Sequence, residues 1–557
     1  MCFPTTQYTK CGNINIAYQV FGSGSVDLVY IPGWVSNIDL MWSCPELVDF
    51  FKELGKIARV ILFDKRGTGL SDRNIELSTL EDRMEDINAV MNAVGSEKAI
   101  LFGHSEGGSV SALFSVIYPH KVISLITFGI FAKRKHAIDY PWAPTDEERQ
   151  EVYEMIENDW CNENMQLETL APSKANDEEF MSWLARYFRS GASPSAALKL
   201  TKMNTDVNII DILKFINIPT LVMQRRDDVD VKIEEGKFVS ERIKKSKFVE
   251  FEGSDHLFWV GNTKEILDEI RSFVKTNSNK PKPRKRLFTV LFGQVANVSK
   301  RNIFPEKLRD DIEKHESSII YLDEKCFAVT FKTPGKALDC GLEILTIFRD
   351  LMLPVKMGVF MKEGIQRTGD FLNESDKNFI DNILSAISVN TLCTTQTIKN
   401  LLSGADLNFT PNLSVLDNTA VKACRVYSVE KNTEEESHAS NVIEVEYDTF
   451  LEDVLRIIYQ NIDNNDFGVE MLSKLMNISE RQLFRKIKET TNKSPIKLIN
   501  HTRLQKAKEE LLSLDMNSIS EIAFKFGFSS PSYFSKCFKK EFGYKPTVLQ
   551  QKLNRLI

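Results

Sequence analysis

Several features are missing from this 557-residue sequence. No uninterrupted apolar run reaches the roughly eighteen residues that a membrane-crossing helix needs, so no such span is expected. The first residues, Met1-Cys-Phe-Pro-Thr-Thr, lack the basic-then-apolar pattern of a secretory signal. The nine cysteines are scattered and form no Cys-x-x-Cys pair, which argues against a disulfide framework or a zinc site. Reduced thiols in a cytoplasmic chain, with no metal and no cofactor, are the expectation. What remains is an ordinary globular composition, 42% apolar and 27% charged. The length exceeds what one core can organise and predicts about three or four domains.

The formal net charge of −6 conceals an asymmetry. Residues 451–557 carry 18 Lys and Arg against 12 Asp and Glu, a surplus of +6 that leaves −12 for the rest. From Arg481 to Lys508 nine residues are basic and one, Glu489, is acidic. A solvated helical face explains most such runs. Here the charges fall on two short helical stretches and the helix joining them, a placement that suits the phosphates of a nucleic acid.

Along the first 275 residues, short apolar runs at 26–31, 59–63, 99–102, 124–128, 220–223 and 247–251 alternate with helical patterns. That alternation predicts a mostly parallel sheet covered on both faces. Between 132 and 215 it lapses into a charged, aromatic-rich helical stretch, which reads as an inserted cap. Trp142, Trp160, Trp183 and Phe188 within it are candidate pocket residues, although ordinary packing accounts for most such side chains. Polar linkers at 276–286 and 431–440 bracket a middle block that mixes strands and helices. The expected domains are 1–276, 284–430 and 445–557. The fold class is therefore multidomain: a doubly covered α/β sheet, an α+β block and an all-α end.

The all-α end holds two amphipathic helix pairs about fifty residues apart. The first runs from Val469 to Lys488 with a break at Asn477-Ile478, and Ser479-x-x-Gln482 is a capping box that starts its second helix. The other runs from Ile519 to Phe542 with Gly527 at the turn and Pro531 opening its second helix. Such pairs place a second helix in the major groove. With "RLQKAKEELL" and "ISEIAFKFGFSSPSYFSKCFKKEFGYKP", residues 447–557 closely resemble the AraC/XylS family of bacterial transcription regulators. The resemblance implies base reading by Arg481 and Arg485 of the first unit and by Ser532, Ser535 and Lys536 of the second. Lys486, Lys488, Lys539 and Lys540 are assigned to phosphates. Phe484, Phe534, Phe538 and Phe542 are expected to pack the small cores.

Near the other end, Gly103-His-Ser-Glu-Gly107 follows a buried strand and precedes a helix, the context of a nucleophile elbow. Asp228 and His256 follow later in the chain, so Ser105, Asp228 and His256 form a candidate Ser-His-Asp set, with Asp227 and Asp230 as competing acids. Backbone N–H groups of Glu106 and Trp34 are candidates for an oxyanion hole. Residues 12–275 resemble the α/β-hydrolase family, also through Phe63-Asp-Lys-Arg-Gly-Thr-Gly-Leu-Ser-Asp72, in which Asp64 and Arg66 read as structural. Where that family carries a His before Gly33, this chain has Pro32.

The middle block, through "RLFTVLFGQVANVSK" and "YLDEKCFAVTFKTPGKALDCGLEI", resembles a class III nucleotide cyclase domain over 286–428. Cyclisation needs two metal-binding carboxylates. Gln294 stands where the first belongs, Lys325 is near the second with Asp323 displaced, and the family's Asn and Arg fall near Asn382 and Ala386. A degenerate domain that transmits a signal or pairs two copies is expected, and a homodimer would match two half-sites on DNA. Taken together, the chain is expected to be a DNA-binding transcription regulator acting on double-stranded promoter DNA, with no membrane partner. Its hydrolase-like domain would sense a small ester-, lactone- or amide-like ligand, with or without turnover. The alternative is a serine hydrolase that carries a DNA-binding domain for localisation or autoregulation.

Overall fold

The computed structural model describes residues 4–73, 78–137, 139–160, 165–277, 285–295, 317–322, 325–351, 353–364, 372–412, 426–431, 460–476, 478–491, 494–512, 518–542 and 544–547, with 312, 454 and 457–458 besides. Two compact units emerge, Met1–Ser385 with Val389–Leu407, and Ala386–Ser388 with Asn408–Ile557. Among the described residues, no helix is long and apolar enough to cross a membrane.

The first unit opens with β1 (Gln7–Cys11) and β2 (Ile14–Phe21), an antiparallel hairpin. Then come β3 (Asp27–Ile31), β4 (Arg59–Phe63), β5 (Ala99–His104), β6 (Val122–Phe128), β7 (Thr220–Arg225) and β8 (Ser246–Phe251). The sheet order is β1-β2-β4-β3-β5-β6-β7-β8, and every neighbour from β4 onward is parallel. The six parallel strands follow the apolar runs of the sequence. The sheet's edge strand β1 escaped that reading because it is largely exposed and carries no apolar run.

The longer helices of this region are α1 (Pro45–Ile57), α2 (Leu80–Ala93), α3 (Glu106–Ile117), the cap helices α4 (Asp146–Asp159), α5 (Glu178–Gly191) and α6 (Pro194–Thr205), then α7 (Ile233–Arg242) and α8 (Thr263–Asn277). Successive strand residues feed opposite faces. Leu28, Tyr30, Val60, Leu62, Ile100 and Phe102 pack with α1 and α8, whereas Val29, Ile31, Ile61, Phe63 and Leu101 pack with α2, α3 and α7. This period of two is what a doubly covered strand imposes. The cap sits between β6 and β7, and its helices start at Thr145, Asp177 and Ser193, each accepting a backbone N–H through its side chain.

The middle block continues the same unit with β9 (Arg286–Val295), β10 (Ser318–Leu322), β11 (Cys326–Phe331), α9 (Pro334–Asp350), β12 (Val355–Gly364), α10 (Glu374–Ala386) and β13 (Thr391–Thr395). Its strand order begins β10-β11-β9-β12-β13, antiparallel except for β12 with β13. Leu287 and Leu401 complete the core beneath α2 and α3. The half-buried Glu81 carboxylate accepts the Gly335 N–H at 2.9 Å at the start of α9, and desolvation pushes its pKa up to about 7. Gln294 lies exposed on β9 opposite Cys326, Lys325 is exposed beside β11, and Asn382 and Ala386 lie on α10. Asp323 lies outside the described residues, as do 278–284 and 432–440 of the linkers and 445–453 of the C-terminal domain.

The second unit contains α11 (Val469–Leu475), α12 (Glu480–Thr491), α13 (Pro495–Leu512), α14 (Ile519–Lys525) and α15 (Pro531–Phe542). Leu472, Leu483 and Ile487 form one small core with Leu498 and Ile499 of α13, while Ile522, Phe534 and Phe538 form another with Leu504, Ala507 and Leu511 of the same helix. The helix α13 therefore carries both cores. The Ser479–Gln482 capping box is made, with Gln482 N donating to Ser479 Oγ at 3.3 Å and Ser479 N to Gln482 Oε1 at 3.1 Å. Gly527 turns between α14 and α15 at φ +68, and a Cβ there would fall 2.6 Å from the Ile462 carbonyl oxygen. Gly527→Ala is therefore expected to destabilise this domain by at least ~1 kcal/mol, read as a lower urea midpoint. An unchanged midpoint would mean that the turn tolerates a side chain.

Candidate functional site

The chain leaves β5 at Ser105 with φ 53 and ψ −124, and α3 begins at the next residue. A non-glycine residue in this region stores ~1–3 kcal/mol and persists only where its surroundings hold it. Ser105 N donates to the Phe128 carbonyl at 2.9 Å, and Gly108 N donates to the Ser105 carbonyl at 2.9 Å. Gly107 is required by close approach: a Cβ there would lie 2.2 Å from the Ile31 carbonyl oxygen.

His256 and Asp228 face one another across a 2.8 Å hydrogen bond from Nδ1 to Oδ2, so Nδ1 carries the proton. Asp228 is fully engaged, accepting from Gln224 Nε2 at 3.1 Å and from the N–H groups of Asp230 and Val231 at 3.0 and 3.1 Å. Of the three aspartates the sequence offered as the acid, Asp227 is exposed. Asp230 lies instead beside the other ring nitrogen, with Oδ2 at 3.5 Å from His256 Nε2. Burial depresses the basicity of His256, but Asp228 and then Asp230 outweigh it, and the net shift is upward. The adjoining His104 goes the other way: burial, followed by the neighbouring His256, lowers it to about 3. It is neutral and donates Nε2–H to the His256 carbonyl at 3.0 Å.

The loop bearing His256 is clamped from behind. Buried Arg225 donates to the carbonyls of Asp255, Leu257 and Val260, and His256 N donates to the carbonyl of Leu170 in the cap at 2.9 Å. Ser105 is brought to the same place, since its N–H anchors on Phe128 while a Cβ on the next residue, Gly129, would touch His256 Cε1 at 2.8 Å. Among the described residues, Ser105 Oγ makes no hydrogen bond to His256.

The loop at Gly33 approaches the elbow so closely that a Cβ there would lie 3.3 Å from Ser105 Cβ. The Gly33–Trp34 segment thus lies beside Ser105, and the N–H groups of Trp34 and Glu106 meet no backbone acceptor among the described residues. The Glu106 side chain turns inward and is fully buried. It accepts from Lys65 Nζ at 2.7 Å and from cap residue Asn204 Nδ2 at 2.6 Å, and it pairs with Arg83 of α2. Burial, with Arg83 alongside, pulls Lys65 well below its ordinary value. Asp64 is equally structural, accepting from Ser36 Oγ at 2.6 Å and Leu70 N at 2.9 Å, and burial raises it to about 6. Arg66 pairs with Asp86.

Two cap aromatics reach this flank: the rings of Trp160 and Phe188 lie 5.3 and 5.6 Å from that of Trp34. Trp183 stacks on Tyr187 and Trp142 packs on Tyr140, so both serve packing.

In the second unit, Arg481, Arg485 and Lys488 are exposed on α12, where their spacing of four and three residues sets them on one face; Lys486 is half-buried. On α15, Ser532, Lys536, Lys539 and Lys540 are exposed and Ser535 is half-buried. Phe534 and Phe538 are fully buried and Phe542 packs against them, as expected. Phe484 is a correction, for it is 51% exposed and shares the face of Arg481, Arg485 and Lys488. Leu483 and Ile487 already fill the core beneath α12, and Phe484 lies at its margin, outside that cluster. The sequence also gave no sign that Arg83 and Asn204 meet Glu106, and Asp230 entered it only as a rival to Asp228.

A family model described as the alpha/beta hydrolase fold matches residues 28–262, and one described as a helix-turn-helix domain matches 472–552. The chain is similar to histidine kinase P4 of Formosa agariphila, at 38% identity over 18% of this chain and 7% of that protein. It is similar to the bifunctional esterase/perhydrolase DCH of Acinetobacter calcoaceticus, at 24% identity over 48% of this chain and 98% of the other. Similarity to the HTH-type transcriptional activator RhaS of an Enterobacter strain is 26% identity over 25% of this chain and 56% of the relative. The chain thus spans 7% of the first of these relatives and meets each through a single region. It joins an N-terminal α/β hydrolase domain to a C-terminal AraC-type helix-turn-helix domain.

Proposed function

We propose that the chain is a sequence-specific DNA-binding transcription regulator of AraC type whose hydrolase domain senses a small ester-, lactone- or amide-like ligand beneath its cap. The observation that carries this reading is the exposed basic face of α12 and α15, set on two separately cored helix pairs in one chain with a buried Ser105, Asp228 and His256. Arg481 and Arg485 would read base edges, helped by Ser532, Ser535 and Lys536, while Lys486, Lys488, Lys539 and Lys540 would neutralise phosphates. The relatives support both halves, one being named a transcriptional activator and another an esterase.

On the ligand side, Ser105 Oγ would attack an acyl carbon as His256 Nε2 takes its proton, and Asp228 holds the ring. The N–H groups of Trp34 and Glu106 would donate to the carbonyl oxygen as it gains charge. Collapse would pass the proton from His256 to the departing alcohol or amine, and water would release the acyl group by the same steps. Such a site could equally hold its ligand without turnover. A degenerate cyclase-like middle block would relay occupancy and pair two copies, giving a cytoplasmic homodimer suited to two half-sites. The second reading, a serine hydrolase whose DNA-binding domain localises or autoregulates it, is favoured by the 2.8 Å His256–Asp228 bond and the strained turn at Ser105.

Ser105→Ala is expected to abolish hydrolysis of a p-nitrophenyl ester while ligand-dependent promoter binding persists. Rapid ester turnover with no ester, lactone or amide altering promoter binding would overturn the sensor reading in favour of the second. At the DNA, Arg485→Ala should lose ~1–3 kcal/mol of discrimination at one base position. Lys540→Ala should weaken all sequences alike and flatten the salt dependence. Equal losses on specific and random duplexes for both variants would contradict this division.

A further inference from the structure

Asp230 stands on the side of His256 opposite the orienting acid. Its Oδ2 lies 3.5 Å from Nε2, the nitrogen that a base offers to its nucleophile, whereas Asp228 Oδ2 lies 2.8 Å from Nδ1. The position is held from two directions. Arg134 donates from Nη1 to the Asp230 carbonyl at 2.7 Å and from Nη2 to Oδ1 at 3.0 Å. Asp230 N donates to Asp228 Oδ1 at 3.0 Å, which ties the two acids into one turn. The Asp228 side chain is wholly enclosed, but that of Asp230 is 34% accessible and so forms the open side of the ring.

We propose that Asp230 is a positioning residue that occupies the Nε2 side of His256 and withholds the base from Ser105 until a ligand moves its carboxylate aside. This rests on the hydrolase reading of Ser105. A ring flanked by carboxylates at both nitrogens is stabilised as the imidazolium, in which both nitrogens are donors. An imidazolium has no lone pair with which to take the Ser105 proton. To become a base, His256 must give its Nε2 proton to solvent, and Asp230 must give up its place to the Ser105 hydroxyl.

The surrounding charges agree with this arrangement. Asp228 and Asp230 face the ring from the turn after β7, Arg134 from the start of the cap, and Arg149 of α4 acts on Asp230 from further off. Glu235 of α7 lies beyond Arg134, while His104 and Arg225 close the side towards β5 and β7. Burial alone would raise Asp230, yet Arg134 and then His256 hold it down to about 2. It therefore stays an anion throughout the range in which His256 titrates. The resting site is built to admit a ligand and delay its cleavage, which suits a receptor better than a rapid esterase.

The test is Asp230→Asn in the full chain, with Asp230→Ala as the second variant and thermal melting as the control for folding. Two readouts are taken. Long-range nitrogen–proton NMR of histidine-labelled protein in the Ser105→Ala background follows the titration of His256, identified among the seven histidines by its loss in His256→Gln. Labelling of Ser105 by a fluorophosphonate probe is followed from pH 5.5 to 9. We expect the His256 midpoint to fall by about one pH unit on removal of the Asp230 charge. Labelling at pH 7 should rise several-fold, with its pH profile displaced to the acid side by the same interval. A folded variant whose His256 midpoint is unmoved overturns the proposal even if Ser105 labels readily, and the hydrolase reading then survives it. A shifted midpoint with no labelling in any form overturns the hydrolase reading, and with it the withholding of a base from Ser105, leaving only the electrostatic coupling of Asp230 to His256.

Discussion

The left-handed turn at Ser105 is the constraint on which the N-terminal half depends. A serine at φ 53 is not a conformation that the local chain favours, so the surroundings must impose it. They do so with the parallel sheet on one side and α3 on the other, and with two backbone hydrogen bonds that fasten the turn to Phe128 and Gly108. The same turn carries Ser105 out of the line of β5, places the Glu106 N–H at a helix start and sends the Glu106 side chain inward. There it meets Lys65, Arg83 and Asn204, which come from the loop after β4, from α2 and from the cap. A carboxylate with those partners is costly to bury unless all are present, so the elbow, the second helix and the cap are mutually dependent.

That dependence extends to the middle block. The helix α2 that carries Arg83 also carries Glu81, whose carboxylate receives the first turn of α9, and Leu287 and Leu401 fill the core below it. The two sheets of the first unit therefore share buried surface, and the hydrolase domain is not an isolated bead on a string. The C-terminal unit solves a different problem. Two helix pairs too small to be stable alone each borrow one half of α13, and the second helix of each pair is left with its basic residues outward.

The division of labour between acids illustrates how near-neighbours in sequence acquire different chemistry. Asp228 is enclosed, takes three donors and orients Nδ1, while Asp230, two residues on, is partly open and faces Nε2. The Asp64 carboxylate is buried like that of Asp228 but meets only loop donors, and it braces the loop after β4 rather than a histidine ring.

Much of this was present in the one-dimensional pattern. Short continuous apolar runs marked six strands, Gly-x-Ser-x-Gly between a strand and a helix marked the elbow, and Ser479-x-x-Gln482 marked a helix start, because each reflects forces acting within a few residues. The edge strand β1 left no such mark, since an exposed strand does not need an apolar face. Phe484 was assigned to a core because aromatic side chains usually fill one, and only the packing of Leu483 and Ile487 turned it outward. Which aspartate meets Nδ1, what faces Nε2 and which cations receive Glu106 are likewise decided by tertiary structure. These are contacts between residues tens of positions apart, and their geometry is set by how sheet, cap and helices close on one another.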